Sequence, residues 1–563
     1  MHELLIRGAE VYDGLGNPPA RVDVAVDDGR VSAIGAIGAA SARRTIDAGG
    51  LALMPGIVDL HTHYDAQLTW DRTMSPSPAL GVTTAVIGNC GFGVAPCPAG
   101  MRETMLKNLS VVEGMDLNAL LHGMRWDFET FPEYLDALRR AGPYLNTAVF
   151  AGHSVMRTAV MGEAASERVE PTDAELQAMR ALLREAMAAG AIGFASSFSP
   201  NHSGHGGRPM PSTIAPDREL DALVDVLGEA GRGVFMSATG SRLTPQKMEA
   251  IAARTKRPVF ISTVLTMFNE AAPERALTYY DACAQALDRG HEVHVLTSCQ
   301  PLSFNFDLRD PYLMLSHSAF DAIKGLPTER LPAIYADASF RARLREDLAT
   351  PRPGVLFLGN WEGIEVNRVH DASLEPLEGR TIARIARDRG VDPVDAFFDL
   401  ALEDGLRTAF IARCFQNVDA GVAPLLRHRA SVITLSDAGA HLVYLCDAGF
   451  GLHLLAHWVR ETGTFTLAEG IRRLTSEPAQ RFRIPARGRL VAGAPADLLL
   501  FDPTTVGLTR AAAVADLPGG GSRMLRAATG VHGVWVNGVQ VHDGHAYLPH
   551  DRGPGRVLDR FDA

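Results

Sequence analysis

Paired cysteines are missing from this chain. Its six cysteines (Cys90, Cys97, Cys283, Cys299, Cys414 and Cys446) are scattered over 563 residues without any C-x-x-C spacing. That excludes a disulfide-stapled scaffold and points to reduced thiols in a cytoplasmic protein. No run approaches the ~20 apolar residues that span a bilayer. The opening Met1-His2-Glu3-Leu4-Leu5-Ile6-Arg7-Gly8 lacks the apolar core of a signal peptide. Positive charge is short as well: a formal net charge of −11 argues against nucleic acid or an anionic membrane as the main partner. Internal repeats and low-complexity tracts are absent too. What is present, 46% hydrophobic and 21% charged residues, describes a soluble globular protein with room for a large core. Such a chain suits a small-molecule partner and leaves a homo-oligomer open.

The two ends share a texture. Leu4-Leu5-Ile6-Arg7-Gly8, Val22-Asp23-Val24-Ala25-Val26 and Val31-Ser32-Ala33-Ile34 read as short strands parted by turn residues. Ala496-Asp497-Leu498-Leu499-Leu500-Phe501-Asp502 and Val534-Trp535-Val536-Asn537-Gly538 read the same way, the latter ending in an Asn-Gly turn. Both ends therefore build one small β domain, residues 1–54 and 485–563. The middle, 55–484, alternates strand and helix patterns. Its clearest helix is 171–189, with Thr172 as N-cap, Glu175 three residues on and Gly190 as the stop. Strand candidates lie at 57–60, 82–88, 147–151, 191–195, 234–238, 259–263, 293–297, 355–359 and 431–435. The alternation predicts an α/β fold, a (β/α)8 TIM-like barrel. Nine candidates for eight places means that one is misassigned or lies outside the barrel. The irregular stretch near 266–350 reads as an insertion.

His61-Thr62-His63 follows the first apolar strand at once. Residues two apart in a strand point to one side, so both imidazoles face one point, as a metal site requires. An ordinary histidine pair near a turn is the plain alternative, but the preceding strand and the nearby Asp65 favour the metal. Cys90 ends the β-branched strand 82–88 between glycines and is a candidate thiolate ligand, against the plain reading of a buried thiol. Asp437 follows strand 431–435 and is a candidate metal ligand and proton acceptor, against an N-cap role. His153 and Arg157 follow strand 147–151 as a candidate catalytic histidine and a candidate carboxylate-binding arginine, with structural roles nearly as well supported. His441 stays undecided, and His202 and His205 sit on a glycine-rich loop with ligand duty the weaker reading.

In this order the segments 55–65, 81–96, 152–157, 190–197, Ser436-Asp437, Leu474-Thr475-Ser476-Glu477-Pro478-Ala479 and 487–502 resemble the amidohydrolase superfamily. Within it they resemble the D-aminoacylase, or N-acyl-D-amino-acid deacylase, family. The resemblance implies a metal-bearing barrel with a small β domain, hydrolysing an amide bond. It implies zinc, and roles in metal binding and catalysis for His61, His63, Cys90 and Asp437. The chain departs from the family where two middle strands each supply a histidine: 234–239 and 259–264 contain none. Leu265 and Thr266 then follow, so no basic residue stands there to hold a substrate carboxylate.

The expected activity is metal-dependent hydrolysis of an amide or related C–N bond, N-acyl-amino-acid deacylase-like. The metal would be held by His61, His63 and Cys90, with Asp437 as general base. Two alternatives share the barrel: a metal-poor lyase or decarboxylase using Asp437 and His153, and a non-catalytic barrel that binds a small ligand.

Overall fold

A computed structural model describes residues 1–38, 41–262, 264–350, 355, 357–441 and 448–561. Cys446 and Thr263 lie outside the described residues. The chain divides into two compact units. The larger holds 1–267, 274–300 and 423–563, and the smaller holds 268–273 and 301–422.

Eight strands of the larger unit form one parallel sheet in chain order: β1 (Ile57–Asp59), β2 (Val82–Ile87), β3 (Asn146–Gly152), β4 (Gly193–Ser197), β5 (Val234–Ala238), β6 (Val259–Ser262), β7 (Val293–Thr297) and β8 (Ser431–Ile433). All eight are buried along their whole length and apolar at most positions, as a parallel sheet covered on both faces demands. One of them, β7, carries the buried His294 among its apolar residues. The sheet curls. The chain just beyond β1, His61–Thr62, pairs in parallel with Leu435–Ala438 just beyond β8, so the first and last strands meet. Thr434 stitches the same seam, its Oγ1 accepting from Leu60 N at 2.7 Å. The ninth candidate, 355–359, is the misassigned one: its described residues form no strand, Leu356 lying outside them. A short apolar run without alternation does not by itself specify a strand.

Val58, Leu60, Val86, Phe150, Met236, Phe260, Leu296 and Val432 make the interior of the curled sheet. Phe482 packs into them, its ring 4.2 Å from Phe260 and 6.1 Å from Phe150. Each such aliphatic or aromatic side chain contributes about 1.5–3 kcal/mol on burial. Helices cover the outer face. Asp173–Ala189 carries the predicted capping box between Thr172 and Glu175 and ends at Gly190 with φ 115°. A side chain at Gly190 would meet Asp559 Cβ at 2.5 Å.

The chain ends share a second eight-stranded sheet. Ala52–Pro55 lies antiparallel to Leu498–Phe501, which joins residues before and after the parallel sheet. Asn537 and Gly538 turn between Val531–Val536 and Val539–His542 with φ of 46° and 81°, the conformation an Asn-Gly hairpin turn needs. Leu4, Ile6, Val24, Val26, Leu498, Leu500 and Trp535 form its core.

The smaller unit has its own antiparallel sheet, Leu302–Phe306, Ala409–Phe415 and Ile364–Arg368, the middle strand in sequence lying at an edge. Phe320, Tyr335, Phe340, Phe397, Phe398 and Phe410 pack beneath it. The irregular stretch near 266–350 falls mostly within this unit, which runs on to residue 422.

Candidate metal centre

The seam of the parallel sheet positions the site. Pairing of Leu435 with His61 and of Ala438 with Thr62 sets Asp437 beside the histidine pair. His63 N donates to Ala438 O at 2.7 Å, and Thr62 Oγ1 to Val86 O at 2.8 Å, fixing the H-T-H segment between β8 and β2. Cys90 sits in a tight turn after β2 with φ 54°. Asn89 Nδ2 donates to Thr62 O and Val86 O, and Gly91 lies so close to Ala195 O that a Cβ there would stand 2.7 Å from it. The turn therefore delivers the thiol inward and leaves no room for a larger residue after it.

His61, His63 and Cys90 are buried and offer ligand atoms that all lie within 4.8 Å of one another. His61 Nε2 is 3.6 Å from Cys90 Sγ and 3.4 Å from Asp437 Oδ1, and His63 Nε2 is 3.1 Å from the same oxygen. Zinc bonds of about 2.0–2.3 Å set tetrahedral ligand–ligand edges at roughly 3.3–3.6 Å. The three separations match that scale to within a few tenths of an ångström. Two imidazoles, a thiol and a carboxylate are also the donor types zinc takes, so the residues fit the metal.

Other groups support these. Ser262 Oγ lies 3.3 Å from His61 Nδ1, and Glu113 Oε1 3.2 Å from His63 Nδ1. His441 Nε2 is 3.6 Å from Asp437 Oδ2, the oxygen turned away from the histidine pair. Asp65 Oδ2 accepts from Gly88 N at 2.9 Å, so Asp65 holds the turn before Cys90 rather than the metal. Asp59 accepts from Ser436 Oγ beneath the seam.

Burial disfavours charge throughout. It drives His61 down to about 3, against the pull of Asp437. It pushes Cys90 up to about 11, partly offset by His63. It raises Glu113 to about 7 and Asp59 to about 8. For His63 burial is outweighed by Glu113 and Asp437, which hold its imidazolium well above the usual range. For Asp437 burial is outweighed by His63, His61 and His441, which hold its carboxyl below the usual range. A divalent ion among these groups would replace the proton that His63 and Asp437 share.

The sequence-predicted residues separate into two places. His61, His63, Cys90 and Asp437 come together. His153 and Arg157 do not join them. His153 is fully buried, its Nδ1 2.8 Å from Ser196 Oγ and its Nε2 2.7 Å from Glu219 Oε1. Arg157 Nη1 pairs with Glu219 Oε2, and its remaining nitrogens donate to the carbonyls of Ala165, Arg168 and Val169. Both ring nitrogens and every guanidinium nitrogen are thus engaged with protein in this structure. His202 hydrogen-bonds Ser197 Oγ through Nδ1 at 2.6 Å, and its pKa, lowered to about 4 by burial, also feels His441, Asp437 and His63. His205 is exposed, its main chain held by Asn108. Glu113 is the residue that sequence reasoning missed. Its one local signal is a carboxylate just past a helix end, where the dipole disfavours it.

The sequence profile of the amidohydrolase family matches residues 44–346 and 358–542. D-aminoacylase of Alcaligenes xylosoxydans xylosoxydans is 29% identical over 568 residues, covering 100% of this chain and 98% of that one. A solved D-aminoacylase with a binuclear metal centre superposes with a TM-score of 0.67 at 27% identity, each chain fully covered. N-acyl-D-glutamate deacylase from Bordetella bronchiseptica, solved with zinc and a phosphonate mimic of the tetrahedral intermediate, gives 0.65 at 26% identity over 99% of this chain and 100% of that one. With its curled parallel sheet and its histidine, cysteine and aspartate cluster, the chain belongs to the amidohydrolase family.

Proposed function

We propose that this protein is a zinc-dependent hydrolase that cleaves the amide bond of a small N-acylated, amino-acid-like substrate in the cytoplasm. Its scaffold is a (β/α)8 barrel, residues 55–484, with a small β domain from 1–54 and 485–563. The observation that carries the reading is the approach of Asp437 Oδ1 to both His61 Nε2 and His63 Nε2, beside Cys90. The deacylase relatives supply the substrate class.

His61, His63, Cys90 and Asp437 would hold the metal. Bound there, zinc supplies Lewis acidity toward a carbonyl and acidifies water. Asp437, with 27% of its side chain exposed, is the one member of the set open enough to exchange protons with a substrate. Its carboxylate takes a proton from the attacking water as the new C–O bond forms. It returns that proton to the amine nitrogen as the C–N bond breaks. His441, beside Asp437 Oδ2, holds the carboxylate in the orientation for both transfers.

Metal analysis of protein purified without chelators tests the reading. About one equivalent or more of zinc is expected in the wild type, and a His61→Ala/His63→Ala variant should lose nearly all of it. Asp437→Asn should retain most of the fold and lose roughly 10²–10⁴-fold in turnover of N-acyl amino acids. Less than about a tenth of an equivalent in the wild type would rule the mechanism out.

A further inference from the structure

Glu113 is a carboxylate in an unfavourable place. It is the C-cap of the helix Arg102–Val112, where the helix dipole presents its negative end and no basic residue stands in the last turn. It is also buried, with 3% of its surface exposed. An anion so placed is destabilising unless a specific partner compensates it. Its side chain faces the ring of His63 at ion-pair distance, with Oε1 3.2 Å from Nδ1.

The consequence reaches the other side of the same ring. A neutral imidazole carries one proton, and the carboxylate beside Nδ1 can only accept. Once a metal ion displaces the proton that Nε2 shares with Asp437, the remaining proton sits on Nδ1 and Nε2 presents its lone pair. That lone pair faces Asp437 Oδ1, a second acceptor, at 3.1 Å. Two acceptors at that distance are stable with a cation between them. The other histidine has a weaker arrangement, since His61 Nδ1 has the neutral hydroxyl of Ser262 at 3.3 Å. A charged partner fixes a ring and strengthens its donor nitrogen more than a hydroxyl does.

We propose that Glu113 is a positioning residue of the metal centre: it holds His63 in the Nδ1–H tautomer, so that Nε2 is presented to the metal as a preformed, electron-rich ligand. Glu113 touches neither substrate nor reacting atoms and acts only through His63. The main chain of the same residue has a separate task, its carbonyl accepting from His441 N. Side-chain substitution leaves that carbonyl in place, so the two tasks can be tested apart.

The inference rests on the metal reading above. Apo full-length protein is titrated with Co²⁺, following the visible ligand-field bands and the thiolate-to-cobalt band, alongside Glu113→Ala and Glu113→Gln. Glu113→Ala is expected to weaken Co²⁺ binding roughly 10–100-fold, the range for loss of such a carboxylate–histidine partner. Glu113→Gln keeps a neutral carbonyl acceptor for Nδ1–H and should recover a large part of the affinity and the wild-type band positions. Melting temperatures of the apo proteins are read alongside, so that a variant that has lost its fold is told apart from one that has lost metal affinity alone. If Glu113→Ala binds Co²⁺ as tightly as wild type with the same spectrum, the proposal is overturned. It is equally overturned if Glu113→Gln binds no better than Glu113→Ala, because then a hydrogen-bond acceptor at Nδ1 is not what the metal needs. If wild type itself shows no cobalt spectrum, the metal reading fails first, and the inference with it.

Discussion

Cys90, Asp437 and His441 share an uncommon backbone state, with φ of 54°, 57° and 53°. Left-handed geometry costs a non-glycine residue on the order of 1–3 kcal/mol, and it persists where surrounding packing over-determines it. Here the bonds of Asn89, the Gly91 contact and the seam pairing do so. A different single residue, His294 on β7, allows a prediction about pH. Its ring is fully buried, stacks on Phe260 at 5.4 Å, and has no hydrogen-bond partner on either nitrogen among the described residues. Burial, then Arg481 and Arg483, lower its pKa to about 3. The unfolded chain binds a proton at His294 below about 6.5, and the folded chain does not until near 3. The group therefore supports the fold fully above pH 6.5 and loses that support as pH falls toward 3, by on the order of 1 kcal/mol per pH unit. His294→Leu, compared with wild type after metal removal, should be as stable at pH 7 and lose stability less steeply between pH 6.5 and 4 in urea titrations. Equal acid slopes for the two proteins would contradict this.

At the scale of elements, what could be read beforehand depended on how local each signal was. The eight parallel strands were legible because burial on both faces writes a continuous apolar run, and H-T-H was legible because a period of two turns both rings one way. The same apolar texture at 355–359 misled, since it belongs to any buried segment. The partner that His153 and Arg157 share was not legible, because Glu219 lies on the helix Asp217–Ala230, 66 residues beyond His153. Glu113 was illegible for the same reason: nothing near it in sequence announces His63. Glu219 joins the helix it begins to the helix His153–Met161, and His153 and Arg157 hold its carboxyl, despite burial, below the usual range. Its stabilising contribution is present above the ordinary carboxylate range and disappears as pH falls through its depressed value. Glu219→Gln leaves Arg157 buried beside a neutral amide and should cost about 3–5 kcal/mol at pH 7. The gap to wild type should narrow as acid protonates Glu219. A loss under 1 kcal/mol at pH 7 would show that the three residues are not coupled as their contacts indicate.

For the whole molecule, the donors come from opposite ends of the parallel sheet, His61 and His63 after β1 and Asp437 after β8. Metal bound there links the two edges of the seam and stabilises the folded state by the logarithm of its saturation, about 3–4 kcal/mol at a hundred to a thousand times Kd. Stripping the metal should lower the melting temperature by a few degrees and speed amide exchange first at 57–63 and 431–438. Unchanged melting and exchange after verified metal removal would mean that the seam holds without it. The division of labour is unequal: the interior apolar layer around Phe482 gives the sheet its cohesion, and the centre governs one line along it.

That line has a consequence for the order of events in synthesis. His61 and His63 leave the ribosome early, but Asp437, and with it the partner strand for residues 61–62, is among the last parts of the parallel sheet to be made. A nascent chain therefore carries His61, His63 and Cys90 without Asp437 for most of its translation. The full set of four donors, and the seam that brings them together, is thus complete only once Asp437 and the segment that pairs with residues 61–62 have been made.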